Sequence, residues 1–429
     1  MAKNFLERLS KIAIFRIKEP NPKEAQDQSG VSLALDSGSA LGLERKVEDD
    51  RDQVRGVELG TRLYPAGQTA GGTLNQKRAK PDFLGIVLGF FFGQALSQEV
   101  GDGIYQHTIT PLNSLYLPSF TLLQRRGDSI FKERFIGNFI ESFSLELGES
   151  WVSLSAGVKG TGKRETNYFH ELVKAPANTL EITLAENGIE GESLAERLEN
   201  VFRVRAKDVG SSIWKVCSVV GVSQTVPAVI TIAEPVGQSL ELVDFHIDYI
   251  PVEPSWCEFP DGEWDESPLR LVDAEVIVDG YFNGEQVLGG KSLSSELLEF
   301  SIQARNQLEP RKLADGSGEL WASEAIRGSR EITIKISERL KNTIRQWQAE
   351  HPETERLSIY LKIRGAEIEP GSGYYFGADL IFPNCGILNL PVVVNGEFFA
   401  QQGDLLVMDD GVYGGVFIRL WNRVSEYLG

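Results

Sequence analysis

From about residue 58 onward, apolar and polar residues alternate in short runs broken by Gly, Asn or Pro, and this period of two limits the chain to a β-rich fold. HTITPL, SFTLLQ, SFSLEL and WVSLSAG read this way in the first half. LEITLA, VFRVRA, IWKVCSVVGVS, AVITIA and LVDFHIDYI follow, then DAEVIVDGYF, LEFSIQARN, REITIKIS, LSIYLKIRG and VFIRLWN. In SFSLEL, Phe143, Leu145 and Leu147 point one way, and Ser142, Ser144 and Glu146 the other, as in a sheet with one wet face. In LVDFHIDYI, Val243, Phe245, Ile247 and Tyr249 share a face opposite Asp244, His246 and Asp248. Helix signals are few. FLGIVLGFFFG (83–93) is too short to span a bilayer and reads as a buried helix. SLAERLENV is a short helical interruption of the middle block. Ser337 caps a third helix, with Leu340, Ile344 and Trp347 on one face and His351 and Pro352 at its end.

The 429 residues imply two or three domains. Residues 1–59 read as an N-terminal arm: a weakly amphipathic start interrupted by Lys11, Arg16 and Lys18, then polar, charged sequence. Residues 60–172 and 269–429 form two β-rich blocks, and 173–268 a small β-sandwich between them, closing in an acidic, Pro-rich linker. Sixty-one acidic against 43 basic residues give a net charge of -18, which excludes a broad basic nucleic-acid-binding face. Cys217, Cys257 and Cys385 are scattered and read as small buried hydrophobes in a reducing compartment, with no disulfide framework.

Four stretches or residue sets carry possible chemistry. GVKGTGKRE fits G-x-x-x-x-G-K at Gly157, Gly162 and Lys163, but Arg164 stands where a P-loop needs the magnesium-binding hydroxyl, and no helical pattern follows. It reads as a mobile, basic loop between strands. In DGEWDE, Asp261, Glu263 and Asp265 match the start of a calcium loop, but Glu266 and Val272 occupy the positions of its Gly and closing Glu. His107, His170, His246 and His351 stand apart with no ligand pairing, and no nucleophile elbow occurs. Trp151, Trp214, Trp264, Trp321, Trp347 and Trp421 could line a sugar cleft, or fill cores and interfaces. No catalytic residue, cofactor site or metal site is expected.

The outer blocks share an order of features. Each has an F-[ST]-[LI] strand (Phe120, Phe300) and a polar turn with Arg. After a variable loop comes an apolar residue two before a Gly (Phe135 with Gly137, Ile326 with Gly328), then a strongly alternating strand. This reads as a hairpin with a Gly at a bulge. The stretch LPSFTLLQRRGD…FIGNFIESFSLELGESWVSLSAGVKGTG, after an apolar helix ending in FFG, resembles the tail tube (major tail) proteins of long, non-contractile bacteriophage tails. NQLEPRK…SEAIRGSREITIKIS looks like the second half of such a protein, so the resemblance covers about 60–429 with the middle block inserted.

The resemblance implies a mainly β fold with a few helices (α+β): two tail-tube-like barrel or sandwich modules, each flanked by a helix, with the insertion projecting outward as decoration. It implies a structural virion protein without enzymatic activity. Copies would assemble into rings stacked as a hollow tube that conducts DNA without binding it. Three double-module chains, or six chains, would close a ring. Further implied partners are a tape-measure protein and the tail-end and tail-completion proteins. No membrane is involved; the place is the virion tail, after assembly in the host cytoplasm. Lys159, Lys163 and Arg164 become the assembly loop. A different reading is a β-rich adhesin or baseplate protein that binds a host-surface glycan through aromatics of the middle block.

Overall fold

The computed structural model describes residues 9–50, 63–127, 131–148, 150–207, 213–262, 266–293, 296–314, 316, 318–339, 356–395 and 398–429. The protein is mainly β and divides into two compact units. The smaller comprises the described parts of 1–9, 125–134 and 165–259, and the larger those of 10–124, 135–164 and 260–429.

In the larger unit most described strands of both outer blocks belong to one eighteen-stranded sheet, in which first-half strands pair with second-half strands, while Tyr281–Phe282 and Val287–Leu288 pair separately. Lys132–Leu147 runs antiparallel to Leu297–Arg311, with Leu145 opposite Ile302 and Phe143 opposite Ala304. Ile104–Pro111 runs antiparallel to Phe417–Asn422. Inward side chains make one core, including Phe120, Phe143, Leu145, Phe300, Ile302 and Ile334. The alternation of SFSLEL is realised: Phe143, Leu145 and Leu147 are buried, and Ser142, Ser144 and Glu146 are not. Leu297–Arg311 and Glu324–Arg339 form the expected hairpin, with a register shift beside Gly328 between Asn306 and Leu308.

Helix α1, Pro81–Phe92, is the buried apolar helix expected near 83–93, and all its residues are buried. Pro81 opens it, where a missing N–H costs nothing, and Gly93 ends it at φ 90°. Phe90 packs 5.1 Å from Phe120, and Phe91 meets Phe143 edge-on at 4.8 Å. Its C-terminal carbonyls are met from two strands: Asn306 Nδ2 and Arg330 Nη2 both donate to the Phe91 oxygen at 3.1 Å. Burial pushes the Arg330 pKa down to about 10. The helix expected from Ser337 to Pro352 lies almost wholly outside the described residues; Ser337 itself belongs to Glu324–Arg339.

The arm expected over 1–59 is corrected over its described part. Lys11–Phe15, Gly30–Ser32 and Ala40–Asp49 are strands of the large sheet. The polar composition misled because Ala40–Asp49 buries only Leu41, leaving its charges in water.

The smaller unit is a sandwich. One sheet runs Phe169–Pro176, Leu242–Tyr249, Val201–Lys207, Trp214–Cys217 in that order, and the other Glu181–Thr183, Val229–Ile232, Val219–Val222. Val204, Ala206, Phe245 and Ile247 of the first share a core with Ile182, Val222, Ile230 and Ile232 of the second. The helical interruption is α2, Leu194–Glu199. Ser193 and Glu196 close a reciprocal capping box that satisfies two otherwise orphaned N–H groups.

Candidate functional site

The proposed assembly residues are not on a loop. Lys159, Lys163 and Arg164 lie in the strand Val152–Thr166. Glycines suggested a loop, but here they permit close approach: a Cβ on Gly157 would meet Ser142 Oγ at 2.4 Å, and Gly162 sits at φ +89°. Two of the cations serve the fold. Lys159 Nζ donates to the Leu308 carbonyl at 2.8 Å and lies 3.4 Å from Glu141 Oε1. Lys163 Nζ donates to the Lys23 carbonyl and lies 5.3 Å from the Trp321 ring centroid. Arg164 follows half-buried on the same strand.

Beside Lys163 is a buried carboxylate that no sequence pattern singles out. Glu19 is 4% exposed. It accepts the Gly137 N–H at 3.0 Å and the Thr121 hydroxyl at 2.7 Å, which ties residue 19 to two strands. Burial raises its pKa to about 7, against the opposing pull of Ser119, Gly137, Thr121 and the Lys163 charge. A carboxyl whose folded pKa is raised stabilises the fold fully below its unfolded pKa near 4.5 and loses that contribution as pH rises through about 7. Glu19→Gln should therefore flatten the stability profile between pH 4.5 and 7.5, where the parent loses roughly 3 kcal/mol. Urea unfolding at half-unit pH steps measures this, and parallel profiles for the two proteins would refute it.

His107 is fully buried between Ser97 Oγ at 2.8 Å and Asn422 Oδ1 at 2.9 Å. Asn422 Nδ2 donates to the Tyr427 hydroxyl, so its Oδ1 faces the ring and Nε2 of His107 is the donor. Burial lowers the His107 pKa, although Asn422, the Val424 backbone and Asp82 favour the charged ring. The row is a neutral structural link from Ile104–Pro111 to the C-terminal residues. Glu266, considered as a calcium-loop position, instead accepts the Asp82 N–H at 2.9 Å near the start of α1; residues 263–265 lie outside the described residues. Cys217, Cys257 and Cys385 are buried free thiols, with Cys257 pushed up to about 11 and Cys385 to about 12.

The described tryptophans are divided between the two units, Trp214 and Trp256 in the smaller and Trp151, Trp321 and Trp421 in the larger. Every described one has a cation within 6 Å of its ring centroid: Arg78 on Trp151, Arg205 on Trp214, Arg134 on Trp256, Lys163 on Trp321, Arg364 on Trp421. Trp264 and Trp347 lie outside the described residues. An open groove of about 420 Å³ crosses the seam of the large sheet, lined by Thr73, Ser142, Ser155, Gln303, Arg305 and Thr333 among others. Its lining mixes hydroxyl and amide groups with the charged Arg305 and Glu331 and the apolar Phe143 and Ala304.

Apolar side chains in water gather at two hairpin ends of the larger unit. At the first, Val47, Leu63 and Tyr64 are 49%, 74% and 41% exposed on the paired strands Ala40–Asp49 and Leu63–Gln76. At the second, Val394 stands opposite Phe399, at 71% and 59% exposed. Nothing in the alternation distinguished these residues from inward-facing ones.

No family model matches the sequence, and no curated protein matches it. Among solved structures, a mutant of the Hcp1 protein from the E. coli EAEC 042 pathovar aligns over 37% of this chain and 99% of its own, at 10% identity and a TM-score of 0.18. At that score the likeness decides neither topology nor activity.

Proposed function

We propose that this chain is the subunit of a bacteriophage tail tube, a structural protein whose work is self-assembly rather than catalysis. The carrying observation is the pair of exposed apolar hairpin ends. An isolated chain leaves these side chains in water, and burying them against another copy is favourable. The two ends differ in residues, so contact of one with the other is head-to-tail. Such contacts close into rings or grow into filaments. The seam between Lys132–Leu147 and Leu297–Arg311 joins strands of the two halves edge to edge. That supports a double module and favours three chains per ring over six. The net charge of -18 suits a conduit that lets DNA pass without holding it. The phage assignment, the virion location and the tape-measure, tail-end and tail-completion partners rest on the sequence resemblance over 60–429.

Negative-stain electron microscopy of concentrated protein across a salt series is the test. Hollow, uniform tubes or stacked rings are expected, with threefold end-on averages. Val394→Glu should abolish them while leaving the monomer folded, because a charge in an apolar contact is costly. Monomers alone under every condition, sedimenting identically for parent and Val394→Glu, would sink the proposal.

A further inference from the structure

The outer face of the four-stranded sheet in the smaller unit differs in character from the rest of this acidic chain. Its register sets the side chains in rows. His170, Asp248 and Arg203 form one, and Leu172, His246, Arg205 and Val216 the next. Lys174 stands opposite Asp244, and Lys207 opposite Trp214. Four Arg or Lys side chains face two Asp, a local excess of positive charge in a chain of -18.

The first row is organised by a buried carboxylate. Asp248 is 2% exposed although its neighbours in register are polar. It accepts from His170 Nδ1 at 2.6 Å and from Arg203 Nε at 2.7 Å. Burial works against its charge, but the bonds from His170, Arg203 and Tyr168 hold its pKa below the usual range. Arg205 is held by stacking, 5.2 Å from the Trp214 ring centroid, and its Nε takes no hydrogen-bond partner. The His246 ring lies edge-on to Trp214 at 4.4 Å, and burial, Arg205 and His170 all lower its pKa. Leu172 and Val216, 55% and 69% exposed, leave apolar surface between the cations.

We propose that this face binds an acidic polysaccharide, a chain carrying about one carboxylate for every two sugar rings. Arg203 is already engaged by Asp248, but Arg205 and Lys207 leave the same face of one strand about 6.7 Å apart and present cations to ligand carboxylates. The exposed apolar side chains Leu172 and Val216 between them suit the C–H faces of sugar rings. Single-stranded nucleic acid fits less well, since it brings a phosphate at every step and needs bare rings for its bases. Here Trp214 is covered by Arg205, while Phe131, Tyr168 and Phe202 pack on one another at 5.2 to 6.1 Å. The inference concerns the smaller unit alone and stands whether or not the chain forms tubes.

Calorimetric titration of the full-length protein at low salt tests it, with a hyaluronan decasaccharide, neutral maltoheptaose and a ten-nucleotide oligothymidylate as probes. Saturable binding of the hyaluronan is expected, weakening about tenfold between 50 and 300 mM salt, with no binding of maltoheptaose. Lys207→Glu, on an exposed residue, should weaken it about tenfold, and Arg205→Lys should weaken it by keeping the charge but losing the planar fork. Lys46→Glu makes the same charge change in the other unit and should leave affinity unchanged. Absence of hyaluronan binding, tighter binding of the oligothymidylate, or equal losses from Lys207→Glu and Lys46→Glu would each overturn the proposal.

Discussion

Gly85→Ala should be among the most destabilising single-methyl changes available to this protein, costing about 3 kcal/mol or more. On propensity alone the sign would be opposite, because Ala is favoured over Gly within a helix by about 1 kcal/mol. Packing decides the matter. A Cβ at Gly85 would lie 2.4 Å from Cζ of Tyr427 and 2.6 Å from Cδ2 of Leu420, both fully or almost fully buried. These atoms belong to a buried ring and a buried core leucine, so α1 itself must shift. Such a shift would also strain the bond from the Tyr427 hydroxyl to Asp82 Oδ1 at 3.0 Å. Gly89, one turn along, provides the control. Its nearest neighbours would be Leu428 Cγ at 3.8 Å and Tyr427 Cβ at 3.9 Å, ordinary contacts. Gly89→Ala should be neutral or stabilising by up to about 1 kcal/mol. The urea midpoint of Gly85→Ala should therefore fall well below that of the parent, and that of Gly89→Ala should not. Equal effects would mean that α1 does not sit on Tyr427 as described.

What could be read from the sequence was what local pattern alone determines. The alternation in SFSLEL and LVDFHIDYI gave the correct inward faces, and the uniformly apolar run before Gly93 gave a buried helix. Capping chemistry at Ser193 and Glu196 is equally local. Misreadings arose where the same local signal has two physical origins. Gly157 and Gly162 are as compatible with a mobile loop as with a strand crowded by Ser142 and Gln68, and only the neighbours distinguish them. Ala40–Asp49 is polar because one face meets water, not because it lacks a partner strand. The buried carboxylates were beyond reach for a different reason. Asp248 occupies an outward position of its strand, and its partners His170 and Arg203 lie 78 and 45 residues away in sequence. Glu19 meets Thr121 and Gly137 across 102 and 118 residues. No spacing rule encodes such meetings, so a charged residue in a polar stretch gives no sign that it will be buried.

Arg16 is the sharpest case of that kind, and its removal should cost about 3 to 5 kcal/mol. In the sequence it merely interrupts an apolar stretch, yet its guanidinium grips Asp82 with both ends, Nε to Oδ1 at 3.0 Å and Nη2 to Oδ2 at 2.8 Å. The two side chains are 10% and 5% exposed. Arg16→Met would leave the Asp82 carboxylate in the core with the Tyr427 hydroxyl and no countercharge. The expected loss is mainly that stranded charge, not the net worth of the pair, since a buried pair offsets its own desolvation only in part. The double variant Arg16→Met, Asp82→Asn distinguishes these terms. An amide at 82 can still accept from Tyr427 through its oxygen and carries no charge to bury, so the double variant should recover at least half of the loss. Denaturant unfolding of the two single variants and the double variant completes the cycle. If the double variant falls by the sum of the singles, the residues act independently and the pair is not what holds this site. Recovery would assign the pair a second role, that of register. Arg16 also exchanges backbone bonds near the C-terminus, accepting from the Leu428 N–H at 3.0 Å, while Lys18 donates to the Leu428 carbonyl at 3.4 Å. One ion pair thus fixes the start of α1 against the residues that follow the strand Lys11–Phe15, where they bridge to Leu428, and a slip of that segment by one residue would bury an unpaired arginine.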